Sequence, residues 1–207
     1  MSDDAKPKKK KGGKGKLLVG VGAILVLGGG GAAGGYFVAG GFSAKVPEKK
    51  EDFNRPQLVL AGENPEEIAT KFKAQADAAE HEGAAVHPAK GVDLPTPHES
   101  TKYQATYFQI PSPFTSNLAD SDSFAQVSVA VATYYDNRVI ESVKQHEMAI
   151  RSAVIMQMAQ ESELALSTPA GKEALQGKIR RIINDVLKAK TGYGGVDNVY
   201  FTNFVIQ

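Results

Sequence analysis

Apolar and polar residues alternate with several different rhythms along this chain, and each rhythm implies a different element. Residues 17–42 show no rhythm, because none of these 26 positions is charged. About 20 apolar residues suffice for a helix to cross a hydrocarbon core roughly 30 Å thick. At 1.5 Å per residue this run would be about 39 Å long as a helix, so it predicts one transmembrane helix over 17–42. Its middle is unusual. Residues 17–27 are strongly apolar, 28–35 are only glycine and alanine, and Phe37, Val38 and Phe42 restore the apolar character. Gly30 and Gly34, and Gly31 and Gly35, stand in the spacing that lets membrane helices approach closely. A cleaved signal peptide is the rival reading, with Gly31-Ala32-Ala33 as the small-residue site. The return of apolar residues beyond that site favours a retained anchor. Either reading exports residues 43–207.

Residues 43–101 are polar and broken by Pro47, Pro56, Pro88, Pro95 and Pro97, which reads as a flexible linker. A short helix is expected within it, near 65–82. Asn64 suits the N-cap, Pro65 the first helical position, and Glu66 and Glu67 the positive end of the helix dipole. Ile68, Phe72 and Ala76 form a thin apolar stripe, and Gly83 can end the helix.

Beyond residue 102 the texture becomes dense. Residues 103–110 are rich in aromatic and β-branched types and read as a strand stopped by Pro111 and Pro113. Residues 124–135 read as a longer strand, with Val127, Val129 and Val131 on one face and Gln126 and Ser128 on the other. Asp136-Asn137 signals a turn. A helix is predicted over 139–158, its apolar face marked by Ile150, Val154, Ile155 and Met158, with an irregularity near His146. Thr168 and Pro169 open another helix, with Leu175, Ile179, Ile182, Ile183, Val186 and Leu187 at spacings of three and four. Gly192, Gly194 and Gly195 end it, and 196–206 reads as a closing strand. The order β, β, α, α, β predicts a small α+β domain over 102–207, with helices packed on one side of a sheet.

Charge sharpens this division. The net charge of +1 conceals seven lysines against two aspartates in 1–16, 11 acidic against 7 basic residues in 43–100, and 10 of each in 101–207. By the positive-inside rule the tail 1–16 is cytoplasmic and the domain lies across the membrane. The tail has no arginine or aromatic residue to read bases, so no nucleic-acid partner is implied. With no cysteine, a disulfide scaffold, a cysteine zinc site, a thiol nucleophile and a bacterial lipoprotein anchor are excluded.

Candidate chemistry is sparse. His81, His87 and His98 match no metal spacing. His146 has Ser142 and Glu147 nearby in sequence, but nothing joins them as base, nucleophile and orienter. Glu161 and Glu163 do not share a helix face. The glycines at 192, 194 and 195 lack a phosphate-loop lysine. Met148, Met156 and Met158 suit core packing or an interface, and Arg180-Arg181 a solvated face. No catalytic, cofactor-binding or metal-binding residue is assigned, and no small-molecule substrate is expected. From these features alone, a membrane-tethered periplasmic ligand-binding or adaptor domain is an open alternative.

Several segments together resemble one family, the flagellar basal-body-associated FliL proteins. They are the lysine-rich tail with its single span, the loop 113–118, the helix segment 150–155, the run Leu166-Ser167-Thr168-Pro169-Ala170-Gly171-Lys172 leading to Leu175, the Ile182-Ile183-Asn184 segment with Leu187, and the terminal stretch 199–207. The family often carries an aspartate after its Ile-Arg pair. Ser152 stands there in this chain, so no role for that carboxylate carries over. The resemblance implies a single-pass inner-membrane protein with its C-terminal domain in the periplasm. It also implies a stomatin-like core, self-association into a ring, and partnership with flagellar stator and basal-body proteins in support of motor torque, swimming and swarming.

Overall fold

Strand β3, Phe124–Thr133, organises the structure, because it is paired along both edges. The computed structural model describes residues 52–81, 91–119 and 121–207. The tail 1–16 and the span expected over 17–42 lie outside the described residues. Among the described residues no helix is long and apolar enough to cross a membrane.

On one side of β3 lie two short antiparallel strands, β1 (Thr106–Gln109) and β2 (Phe114–Asn117), end to end. Gln109 pairs with Ala130 and Phe114 with Val127. Residues 110–113 therefore oppose only Ser128 and Val129, and the chain bulges. On the other side β4 (Asn198–Ile206) runs antiparallel to β3, with its own register shift at the same Ser128/Val129 step. Bulges facing each other across one step bend the sheet there. The bulge 110–113 holds Ser112 at φ 62, in the left-handed region that a non-glycine residue seldom adopts.

The helices cover one face of this sheet. They are α2 (Arg138–Gln145), α3 (Glu147–Met158), α4 (Glu163–Leu166) and α5 (Pro169–Thr191). Val127, Val129 and Val131 are fully buried beneath them, together with Phe114, Ile150, Val154, Met158, Leu175, Ile179 and Ile183. Burying each such side chain contributes about 1.5–3 kcal/mol, so this contiguous core is the main stabilising term. The break expected near His146 is the junction of α2 and α3. Thr168 caps α5 by accepting from the Gly171 N–H at 3.0 Å, and Gly192 ends it at φ 85.

Three readings of the sequence need correction. The stretch 113–118 is not wholly a loop, since β2 alternates buried Phe114 and Ser116 with exposed Thr115 and Asn117. Four residues between proline and a charged turn are too few to declare a period. The first strand is shorter than expected. It starts at Thr106, and a 3₁₀ turn, Ser100–Lys102, precedes it. Helix α4, capped by the Ser162 hydroxyl, is an element beyond the two helices expected in the domain.

The fourth correction concerns the linker. Helix α1, Pro65–His81, forms where expected, with the Asn64 carboxamide accepting from the Glu66 N–H at 2.9 Å. The flanking stretches 52–64 and 91–101, however, are docked rather than free. Val59 is fully buried; its N–H donates to the Tyr134 carbonyl and its own carbonyl accepts from Gln104. The Arg138 guanidinium grips the Asp136 carboxylate in two bonds of 2.8 and 2.9 Å, and donates to the carbonyls of Phe53 (2.7 Å) and Arg55 (2.9 Å). Farther on, Val92 exchanges backbone bonds with Gly192 and Gly194, and Tyr135 donates to the Pro95 carbonyl at 2.6 Å. A Cβ on Gly91 would stand 2.6 Å from the Lys188 Cβ, so that approach requires glycine.

Two consequences are measurable. The Asp136 carboxylate is fully buried. Arg138→Met would strand it, a loss of about 3–5 kcal/mol, visible as a lowered midpoint of thermal or urea unfolding. Adding Asp136→Asn should recover part of that loss. Secondly, burial and the nearby Asp197 push the Tyr135 phenol up to about 12. The folded value exceeds the ordinary one near 10, so stability is complete below about pH 10 and declines as pH rises toward 12. Tyr135→Phe should flatten that decline in an alkaline unfolding series.

Candidate interaction surface

The sequence-level candidates for chemistry do not converge. The Ser142 hydroxyl donates to the Arg138 carbonyl at 2.8 Å, Glu147 pairs with Arg151 at 3.0 Å, and His146 occupies the α2–α3 junction through its backbone. Their polar groups thus serve three separate purposes. Glu161, largely buried, takes Lys178 at 2.6 Å and Gln157 at 2.7 Å, while Glu163 accepts from Ser123 at 2.7 Å. The glycines after α5 are structural. Gly195 and Val196 both donate to the Asn184 side chain at 2.9 Å. Asp197 is buried, and burial pushes its carboxyl up against the opposing donation from the Tyr134 N–H. Among the described residues no three metal-ligating side chains come together. A shallow cleft of about 270 Å³ lies between α1, α2 and the end of α5, lined in part by Lys73, Asp77, Arg138 and Glu141. Its walls mix both signs of charge.

The methionines separate by role. Met158 is fully buried, whereas Met148 and Met156 are 78% and 66% exposed on the outer side of α3. Leu164 on α4 is 81% exposed. Ser152 lies on the same exposed stripe between the two methionines.

The most distinctive surface is the sheet itself. No residue of β1, β2, β3 or β4 is charged. The face turned away from the helices carries Tyr107 and Tyr200, whose rings stand 6.1 Å apart. They pair with Ala132 and Ala130 on either side of β3, and these two alanines are almost wholly excluded from water. Tyr200 has its phenol pushed up by burial and by the neighbouring Tyr107 and Tyr134. Phe124 lies partly exposed at the end of β3. Aromatic, uncharged, half-open faces of this kind are characteristic of contact surfaces.

The two edges of the sheet differ. The β1/β2 edge is interrupted by Pro111 and Pro113, and Arg151 donates to the carbonyls of Pro111, Ser112 (3.2 Å) and Pro113 (3.2 Å). The same guanidinium lies 4.5 Å from the Phe114 ring centroid. The β4 edge has neither proline nor charge. The Ile150-Arg151 pair stands out in the sequence, but the role of its arginine does not. The targets of Arg151 lie about 40 residues earlier, and no local spacing points to them.

The sequence of this part of the chain is similar to those of known proteins. Residues 107–207 match the family described as flagellar basal body-associated protein FliL. The flagellar protein FliL of Aquifex aeolicus (strain VF5) is 34% identical over 102 residues, covering 48% of this chain and 60% of the relative. The matched part therefore spans 60% of that relative's length. It takes in nearly all of the sheet and the four helices packed on it. Residues 107–207 of this chain thus match the FliL family of flagellar basal body-associated proteins.

Proposed function

We propose that this protein is a non-enzymatic, single-pass inner-membrane component of the flagellar basal body. Its periplasmic domain associates with the stator units and supports motor torque in swimming and swarming, as a ring-forming scaffold on a stomatin-like core. The observation that carries this reading is the match of residues 107–207 to a basal-body-associated family. The charge-free sheet supports a role in contacts, since such a surface recognises partners by shape and burial rather than by long-range attraction.

The docked linker changes the mechanical picture. Only nine residues, 43–51, separate the expected span from Asp52. Fully extended, they reach about 30 Å. If residues 17–42 are the anchor, that reach sets the largest distance between it and Asp52. A domain so held can stabilise the engaged arrangement of a neighbouring stator, provided it binds that arrangement more tightly than the disengaged one.

Removing residues 52–207 while retaining 1–51 should slow swimming and swarming, with filaments and stator proteins present at normal abundance. Unchanged motility on soft and hard agar would overturn the motor reading. Recovery of stator proteins with the full chain from solubilised membranes, but not with the truncated one, is the expected biochemical counterpart.

A further inference from the structure

We propose that the open face of the sheet binds a neutral glycan chain, with Tyr107 and Tyr200 as its stacking platform. The two tyrosines stand on the strands either side of β3, opposite Ala132 and Ala130. Alanine leaves room between them, and the ring centroids come to 6.1 Å at an interplanar angle of 47°. The rings themselves stay open, Tyr107 at 65% and Tyr200 at 42% exposure. Tyr134 borders the same patch, close enough to act on the Tyr200 phenol. Neutral hydrogen-bonding side chains surround the rings. Gln109 lies in the row of Ala130 and Tyr200, Asn198 in the row of Tyr107 and Ala132, and Asn203 in the row of Ser128. The Gln109 Nε2 donates to the Val129 carbonyl at 3.0 Å, which fixes the plane of its amide.

Charge complementarity selects the occupant. No residue of the four strands is charged, so the face offers nothing to a phosphate backbone, which is held by lysine and arginine. A membrane surface is likewise gripped through basic residues beside a broad apolar face, and here amides interrupt the apolar part. The patch also lacks the arginine, methionine and tryptophan that enrich the centre of protein interfaces. A neutral sugar chain matches what is present. One side of a sugar ring shows C–H bonds of slight positive charge, which meet the negative face of a phenol ring. Its rim carries hydroxyls that both donate and accept, and each carboxamide supplies an acceptor and a donor pair for them. Two adjacent rings provide for neighbouring sugars of a chain rather than for one isolated sugar. This inference goes beyond the motor reading and does not rest on it, since a glycan-binding face and a stator contact can each exist without the other.

The chain has no tryptophan, so tyrosine fluorescence of the detergent-solubilised full-length protein reports on this patch. The probes are soluble β-1,4-linked oligomers of N-acetylglucosamine and of glucose, titrated by fluorescence and by calorimetry. The expected result is saturable binding to at least one of them, tighter for the longer oligomers and unchanged when salt is raised, because no ion pair is involved. Tyr107→Ala and Tyr200→Ala should each weaken binding at least tenfold, whereas Tyr200→Phe, which keeps the ring, should bind nearly as the parent does. Asn203→Ala should weaken it by a smaller factor. Tyr107, Tyr200 and Asn203 are exposed, so these variants should keep the parent's melting temperature, and a normal melt with lost binding separates recognition from folding. Arg181→Ala, on the exposed side of α5, should change nothing. Absence of saturable binding to both oligomer series would overturn the inference. So would affinity that survives in the Tyr107→Ala/Tyr200→Ala double variant, or that disappears with added salt. Tyrosine-dependent capture by uncharged phosphatidylcholine vesicles, without binding to either oligomer, would assign the face to lipid instead.

Discussion

The structure depends on a strand that has no spare edge. β3 is bonded on one side to β1 and β2 and on the other to β4, and its valines form the floor on which the helices rest. Such a strand must present apolar side chains to the core and no charge to either neighbour. Its ten residues do both. Once β3 is fully paired, the remaining strands become the edges, and the character of the surface is decided there.

Arg151 illustrates how one side chain settles that character. Its guanidinium spans the bulge carbonyls at 111–113, stacks near Phe114 and pairs with Glu147. It therefore fixes α3 to the kinked edge and uses the planar fork that lysine lacks. The positive φ of Ser112 is sustained in the same place. On the opposite edge no comparable device exists among the described residues. The domain is consequently asymmetric, guarded on one side and open on the other, although residues 101–207 hold 10 acidic and 10 basic residues.

The second organising feature is the belt formed by 52–64 and 91–101. Arg138 and Asp136 hold the first part, and Gly91, Val92 and Pro95 attach the second near the end of α5 and the start of β4. Polar, proline-punctuated composition usually signals a tether. Here several backbone groups of that segment bond to the domain, and two of its apolar residues, Val59 and Leu94, are buried, while Leu60 and Val92 stay exposed. A segment can be polar in composition and still be structural when its hydrogen bonds are long-range.

What the sequence determined by itself was short-range. The length, faces and caps of α5 were legible from Thr168, Pro169, Gly192 and a repeat of Leu and Ile, because a helix closes its bonds within four residues. The faces of β3, the break near His146, the helix after Asn64 and the α+β order were legible for similar reasons, and the terminal strand carried the family likeness. The absence of charge from the strands was present in the sequence as well. What only the tertiary structure decided was which backbone groups meet. It made a strand of 114–117, converted much of a presumed linker into part of the domain, and gave Arg151 its targets. It also left β4 as the unguarded edge. Strand pairing joins residues far apart in the chain, and no local period records which of two edges will find a partner.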